Sequence, residues 1–231
     1  MSAATPRNGG RYLDSNRKKS SSELAYEQIR EMILHLDVKP GEKIPEEKNA
    51  KFVGGSRTPV REALRRLSAE GLVRIYPRRF AEVAYYDEKA VQELGTVRLA
   101  QDILACKLAI RYGSPEQFKH LAMLAERCQH GAELGNIYDR IVFDSAFHLY
   151  IAEIGGNQLL LENQRKVYLM VHLVQISKYT GVEDSLRQIS LHQEILTALQ
   201  KRDIHLVQQA CCEHLQDFFA LDPAVLASMM I

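Results

Sequence analysis

Four polar side chains occupy positions where their helices should be apolar. Within residues 137–155, Ile137, Ile141, Asp144, His148 and Ile151 recur at the three- and four-residue spacing of one helix face. The corresponding stripe of residues 184–201 is Leu186, Ile189, His192, Leu196 and Leu199, and that of residues 203–220 is Val207, Cys211, His214 and Phe218. Burying a carboxylate and three imidazoles costs free energy unless they satisfy one another or hold a cation. Asp144 and His148, one helical turn apart, can converge on one ion, and His192 and His214 complete the set from facing helices. A single such histidine is ordinarily a satisfied core residue. Three of them and an aspartate, spread over three stripes, point to a metal. The donor set suits one divalent transition ion per chain, Zn²⁺, Ni²⁺ or Mn²⁺, better than Ca²⁺ or Mg²⁺. An ion with an open position can also activate water, so hydrolysis is the competing chemistry. Against it, no nucleophile elbow and no further acid–base motif accompanies the quartet.

A second chemical signature is SRTPVREALRRLSAEGLV, Ser56–Val73. Ala63, Leu64 and Leu67 can face a small core while Arg57, Arg61 and Arg65 line another face. Arginine suits bidentate contact with the guanine edge and the clamping of phosphate. The helix N-terminus and the hydroxyls of Ser56 and Thr58 can add phosphate contacts. Arg78 and Arg79 stand at a turn from which they can reach a neighbouring groove or the backbone. By composition alone, a solvated charged helix accounts for this segment equally well.

The elements that must position these groups follow from pattern and punctuation. Glu23–Leu34 reads as a helix with Leu24, Ile29 and Ile33 among its apolar positions, and Lys39-Pro40-Gly41 as a turn. A short helix over Glu46–Phe52 ends at Gly54-Gly55. The next begins around Ser56–Pro59 and stops at Gly71. Leu72–Tyr76 and Glu82–Tyr86 read as strands around Pro77-Arg78-Arg79, which completes a winged helix-turn-helix. Six helical segments follow, over about residues 87–112, 115–133, 137–155, 157–180, 184–201 and 203–220. Their short connections predict an antiparallel bundle. The expected fold is therefore mainly α, an N-terminal winged helix-turn-helix plus a C-terminal all-α antiparallel helical bundle. The expected divisions are a disordered arm (1–20), a DNA-binding domain (21–86), a helical domain (87–222) and a C-terminal tail (223–231).

Charge is divided in the same way. Residues 1–83 hold 17 Lys/Arg against 11 Asp/Glu, and residues 84–231 hold 13 against 18. A basic front joined to an acidic rear suits a nucleic-acid module attached to a unit that does not touch nucleic acid. No apolar run is long enough for a membrane span, and the first twenty residues lack the apolar core of a signal peptide. These features predict a cytoplasmic protein with no membrane partner. Cys106, Cys128, Cys211 and Cys212 form no metal-type pair and read as buried reduced thiols.

The segment SRTPVREAL resembles the recognition helix of the GntR family of bacterial regulators, and VKPGEKI (Val38–Ile44) resembles that family's turn before its second helix. The likeness spans about residues 23–85. Asn49, Gly55 and Phe80 depart from it, the first two standing where the family has apolar residues and Phe80 at the usual wing glycine. Asp144-Ser-Ala-Phe-His148 with Gly156-Asn157, LHQEILTAL (Leu191–Leu199) and CCEHL (Cys211–Leu215) resemble the metal-binding branch of the FadR subfamily's ligand-sensing domain, called FCD. That likeness covers about residues 87–220. The resemblance implies a homodimeric, ligand-responsive regulator, a repressor in preference to an activator, that reads palindromic double-stranded operator DNA. It also implies a small carboxylate effector (a sugar acid, hydroxy acid or dicarboxylate) that meets the metal directly. Arg98 matches an arginine that points towards the family's effector cavity. Its alternative role is a salt bridge to Asp102, one turn on. Asn157 can touch ligand or cap a helix. His120, His130, His172 and His205, and tyrosines such as Tyr138, Tyr168 and Tyr179, match no motif and read as surface or packing residues.

Overall fold

The computed structural model describes residues 19–178 and 181–230. Helix α1 (Ser21–Leu34) begins two residues earlier than expected because Ser20 caps it. Ser20 Oγ accepts the Glu23 N–H while the Glu23 carboxylate accepts the Ser20 N–H, a reciprocal box. Ser20, and Lys19 through its ion pair with Glu27, thus belong to the folded part and not to the arm. The rest of the expected arm, residues 1–18, lies outside the described residues, as does Tyr179. Ala25, Ile29 and Ile33 are buried, whereas Leu24 is 39% exposed at the edge of the stripe.

Helix α2 (Glu46–Phe52) accommodates its polar interior residue locally. Asn49 is fully buried and donates from Nδ2 to the Pro45 carbonyl one turn back, at 3.1 Å. Gly54 and Gly55 both take positive φ, +95° and +88°, in the turn into α3 (Arg57–Ala69). That backbone would strain the apolar residue usual at position 55, so the glycine suits the turn. Ser56 caps α3, whose Val60, Ala63, Leu64 and Leu67 are buried against α1.

The wing comprises β1 (Val73–Tyr76) and β2 (Phe80–Val83), antiparallel with Val73 opposite Val83 and Tyr76 opposite Phe80. The second strand therefore starts and ends earlier than the expected 82–86. A three-residue turn needs a left-handed residue, and Arg78 supplies it at φ +59°. Phe80 opens β2 with its ring 4.7 Å from that of Tyr76 and 4.4 Å from the Lys43 ammonium. The wing forms without the family's glycine, and Tyr85 and Tyr86 leave the ladder.

The helical part consists of α4 (Glu88–Tyr112), α5 (Pro115–Glu133), α6 (Ile137–Gly155), α7 (Gln158–Lys178), α8 (Val182–Lys201) and α9 (Ile204–Phe219). Asp87, Ser114, Asn136 and Asp203 cap four of them through their side chains. Helix α8 starts at Val182, two residues before its expected start. The residues expected as a tail contain a further helix, α10 (Pro223–Met229), capped by Asp222 with Pro223 at its first position. Helix α6 packs on α5, α4 and α7, while α9 packs on α4 and α8. Gly95 lets α4 approach α9: a Cβ there would fall 2.4 Å from Phe219.

The two cores meet along α6 and α7. Leu173 of α7 is buried within the N-terminal cluster. Tyr138 of α6 stacks on the His35 ring at 3.9 Å and donates to the Glu31 carboxylate at 3.0 Å, with the His172 ring 5.5 Å away. All four cysteines are buried and free. Among the described residues, no helix is long and apolar enough to cross a membrane.

Candidate metal centre and nucleic-acid interface

Helices α6, α8 and α9 bring Asp144, His148, His192 and His214 together, with one donor atom from each within 4.8 Å of the others. All four are buried. His148 Nε2 lies 3.1 Å from His214 Nε2, and His192 Nε2 lies 3.1 Å from Asp144 Oδ1. The latter pair is close but out of line for a hydrogen bond, so both atoms are left without a hydrogen-bond partner. Donors bound at about 2.0–2.2 Å to one ion stand roughly 3–4 Å from one another. The two shortest pairs meet that spacing and the widest, within 4.8 Å, is looser, so the quartet can hold one such ion.

Neighbouring groups set the tautomers. His214 Nδ1 faces the Gln188 carbonyl at 3.1 Å, and His148 Nδ1 lies 3.5 Å from Asp102 Oδ2. Protons held on those Nδ1 atoms leave both Nε2 lone pairs aimed into the centre. Burial, reinforced by Arg98, holds the His148 imidazole well below its usual range. Burial and then His192 do the same for His214, and burial lowers His192 against the pull of Asp144. Burial would raise the Asp144 carboxyl, but Arg98, followed by His192, Arg140 and His148, holds it well below the carboxylate range. Three neutral imidazoles and one carboxylate are the protonation states that bind a metal.

Arg98 makes the expected salt bridge to Asp102 and also faces Asp144. Fully buried in α4, it donates from Nε to Asp102 Oδ2 (3.3 Å) and to the Tyr168 hydroxyl (3.2 Å). Its Nη2 lies 3.6 Å from Asp144 Oδ2, and neither Nη atom has a hydrogen-bond partner. Tyr168, which pattern alone assigned to ordinary packing, donates to Asp102 at 2.8 Å and joins Arg98 to the centre. Burial pushes the Asp102 carboxyl up to about 6 against Arg98 and Tyr168. Asn157 is exposed where α6 meets α7, and its Oδ1 accepts the Leu160 N–H, which is a cap's geometry.

A pocket of about 280 Å³ opens beside His214, lined by Arg140, Gln175, Lys178, Ser185 and Gln188 among others. Arg140 was missed by sequence reasoning although it stands one turn before Asp144, on the same stripe. It is 2% exposed, and its Nη2 donates to the Gln188 side chain while Nε has no partner. Gln175 donates to Asp144 Oδ2 at 3.2 Å.

At the other end of the molecule, Ser56, Arg57, Thr58, Arg61 and Arg65 are exposed on α3, and Arg78 and Arg79 are exposed at the wing tip. Arg57 pairs with Glu47 at 2.7 Å. Among the described residues Arg61 makes no ion pair, neither with Glu47 nor with Glu62. Arg66 instead supports the fold, stacking 3.7 Å over the Tyr26 ring and pairing with Glu70.

Residues 93–217 match the family model for the FCD domain, and residues 21–83 match that for bacterial regulatory proteins of the gntR family. The chain is a GntR-family regulator with an FCD domain. A HTH-type transcriptional regulator of Bacillus subtilis, YdhC, is 28% identical to it over 199 residues, 83% of this chain and 89% of that protein. The HTH-type transcriptional repressor RspR of Escherichia coli is 27% identical over 192 residues, 83% and 84% of the two chains. Two solved structures share the fold. Escherichia coli McbR/YncC has a TM-score of 0.75 at 21% identity and covers 93% of this chain and 100% of its own. A GntR regulator from Rhodococcus sp. RHA1 has a TM-score of 0.76 at 19% identity and covers 90% and 98%. The regulator thus binds DNA through its N-terminal module and carries a ligand-binding domain. It is not an enzyme, and the hydrolase reading of the quartet falls.

Proposed function

We propose that the regulator is a cytoplasmic, homodimeric repressor whose helical domain senses a small carboxylate at a divalent transition ion, Zn²⁺, Ni²⁺ or Mn²⁺. The observation that carries this reading is the buried quartet of Asp144, His148, His192 and His214 beside a pocket in the same helices. The bound ion would supply a Lewis-acidic anchor for the carboxylate. Arg98, whose Nη groups have no hydrogen-bond partner, would donate them to the same anion, and Gln175 would keep Asp144 oriented. A ligand drawn against α6 and α7 pulls on the two helices that touch α1, through Tyr138 and Leu173. Differential binding of effector to one orientation of the DNA-binding modules would change operator affinity. Gel shifts with DNA flanking the gene, with and without chelator and with a panel of small carboxylates, test the reading. Operator binding indifferent to all of these would overturn it.

The DNA contacts belong to the same proposal. Arg57 and Arg61, in the first turns of α3, would read base edges, with Arg65, Ser56 and Thr58 placed beside them. An exposed pair such as Arg57–Glu47 contributes only about 0.2–1 kcal/mol and yields readily to a guanine. Arg61→Ala is expected to cost roughly 1–3 kcal/mol at the operator and to relax preference at one position. Equal affinity of variant and wild type for operator and for scrambled DNA would make Arg61 an ordinary surface residue. Arg78 and Arg79 would hold phosphate, so their loss should weaken binding to every sequence and flatten the salt dependence by about one unit of slope per contact.

Two such modules on one palindrome require a two-fold dimer. Light scattering is expected to give twice the mass of the chain. A monomer both free and on operator DNA would contradict it.

A further inference from the structure

Counting charge in the helical core narrows the effector beyond a carboxylate. Among the described residues, four side chains with a formal charge are buried: Arg98 and Arg140 against Asp102 and Asp144. With the imidazoles neutral, this set balances. One divalent ion in the quartet would leave an excess of two positive charges in a core where an uncompensated charge costs several kcal/mol. Among the described residues, the exposed mouth of the pocket does not correct the excess, since Lys178 and Arg187 line it together with Glu213 and Asp217. The interior also contains unsatisfied donors of matching sign. Arg140 is buried on the pocket wall with no hydrogen-bond partner for Nε, and Arg98 has none for either Nη atom, Nη2 lying 3.6 Å from Asp144 Oδ2. Arg140 lies next to the centre, because the Gln188 that accepts from it also offers its carbonyl to His214.

We propose that the effector is a small dianion, a dicarboxylate or a carboxylate with a second acidic group, whose second negative charge is received by Arg140. This rests on the metal-and-carboxylate reading above and adds the number of charges and the residue that selects for them. A pocket of about 280 Å³ lies near the lower end of small-ligand sites, so the two acidic groups must be only a few bonds apart. One group then meets the ion and Arg98 while the other meets Arg140, and the buried set returns to neutrality.

Matched acids test this on the full-length, Ni²⁺-reconstituted protein, with metal content measured on every sample. Malate is compared with lactate, tartrate with glycerate, and glutarate with butyrate, by calorimetric titration. The expected result is a preference for the dianion of each bound pair of roughly tenfold to a hundredfold, the size of one charged hydrogen-bonded contact. Arg140→Met, close in length and apolar, should erase the preference at unchanged metal content, and Arg140→Lys should retain part of it. Equal affinity for both members of a pair in the wild type would overturn the dianion inference and leave the metal reading standing. So would a preference that survives Arg140→Met. Should Arg140→Met fail to fold, Arg140→Lys decides: a preference undiminished by the altered geometry overturns the role of Arg140. No binding of any acid by protein holding one ion per chain would bring down the carboxylate reading itself, and protein that holds no ion would bring down the metal reading.

Discussion

Removing the divalent ion with a chelator is expected to lower the melting temperature of the regulator by roughly 10 °C. A ligand that binds only the folded chain stabilises it by about 4 kcal/mol when its free concentration is a thousand times its Kd. For a chain of this length each kcal/mol moves the midpoint by about 2–4 °C. The physical source is visible in the quartet. Asp144 Oδ1 and His192 Nε2 are buried without hydrogen-bond partners, and two Nε2 atoms face one another at 3.1 Å. Satisfying these atoms at once is what an ion does and what no neighbouring side chain does. His214→Ala removes one donor and should abolish the difference between chelated and metal-loaded samples, beyond lowering the midpoint of both. Elemental analysis supplies the independent check. Identical melting with and without chelator, together with no bound metal after incubation with Zn²⁺, Ni²⁺ and Mn²⁺, would remove the metal from the account.

The second large effect concerns pH and His172, which belongs to the junction between the cores and not to the quartet. Burial, then Arg30 and His35, lowers its imidazole from 6.5 to about 4. Its Nε2 is buried with no hydrogen-bond partner. Below about pH 6.5 the unfolded chain takes up a proton that the folded chain refuses. The contribution of His172 is therefore fully present above pH 6.5 and is lost as pH falls towards 4. The loss approaches about 1.4 kcal/mol per pH unit, roughly 3 kcal/mol over the window. The buried imidazoles of the quartet add slope of the same sign, so the informative quantity is a difference. Denaturant unfolding of wild type and His172→Gln from pH 7.5 to 4.5 should give curves that converge, or cross, as pH falls. Parallel curves would show that His172 is protonated as readily in the folded chain as in the unfolded one.

The recognition segment and the quartet were legible in the sequence because both are written in local periodicity. Three- and four-residue spacing places Asp144 and His148 on one face of α6, and sets Val60, Ala63, Leu64 and Leu67 opposite the exposed arginines of α3, whatever the rest of the chain does. The caps at Ser56, Ser114 and Asp203 are equally local, and each of those helices starts where its cap says. Features that depend on two segments meeting were not legible. The strand limits shifted because the left-handed Arg78 closed a tighter turn than the pattern implied, and Ser20 and residues 223–229 were assigned to an arm and a tail that contacts with the fold overrule. Arg140, Tyr168 and Gln188 carry no motif. They acquire roles only because α6, α7 and α8 cross close enough for a guanidinium, a phenol and an amide to share one buried charge balance with α4 and α9. Local spacing fixes which face of each helix is polar, whereas the distances between those faces are set by the packing of whole helices, and it is at those distances that ions and effectors are bound.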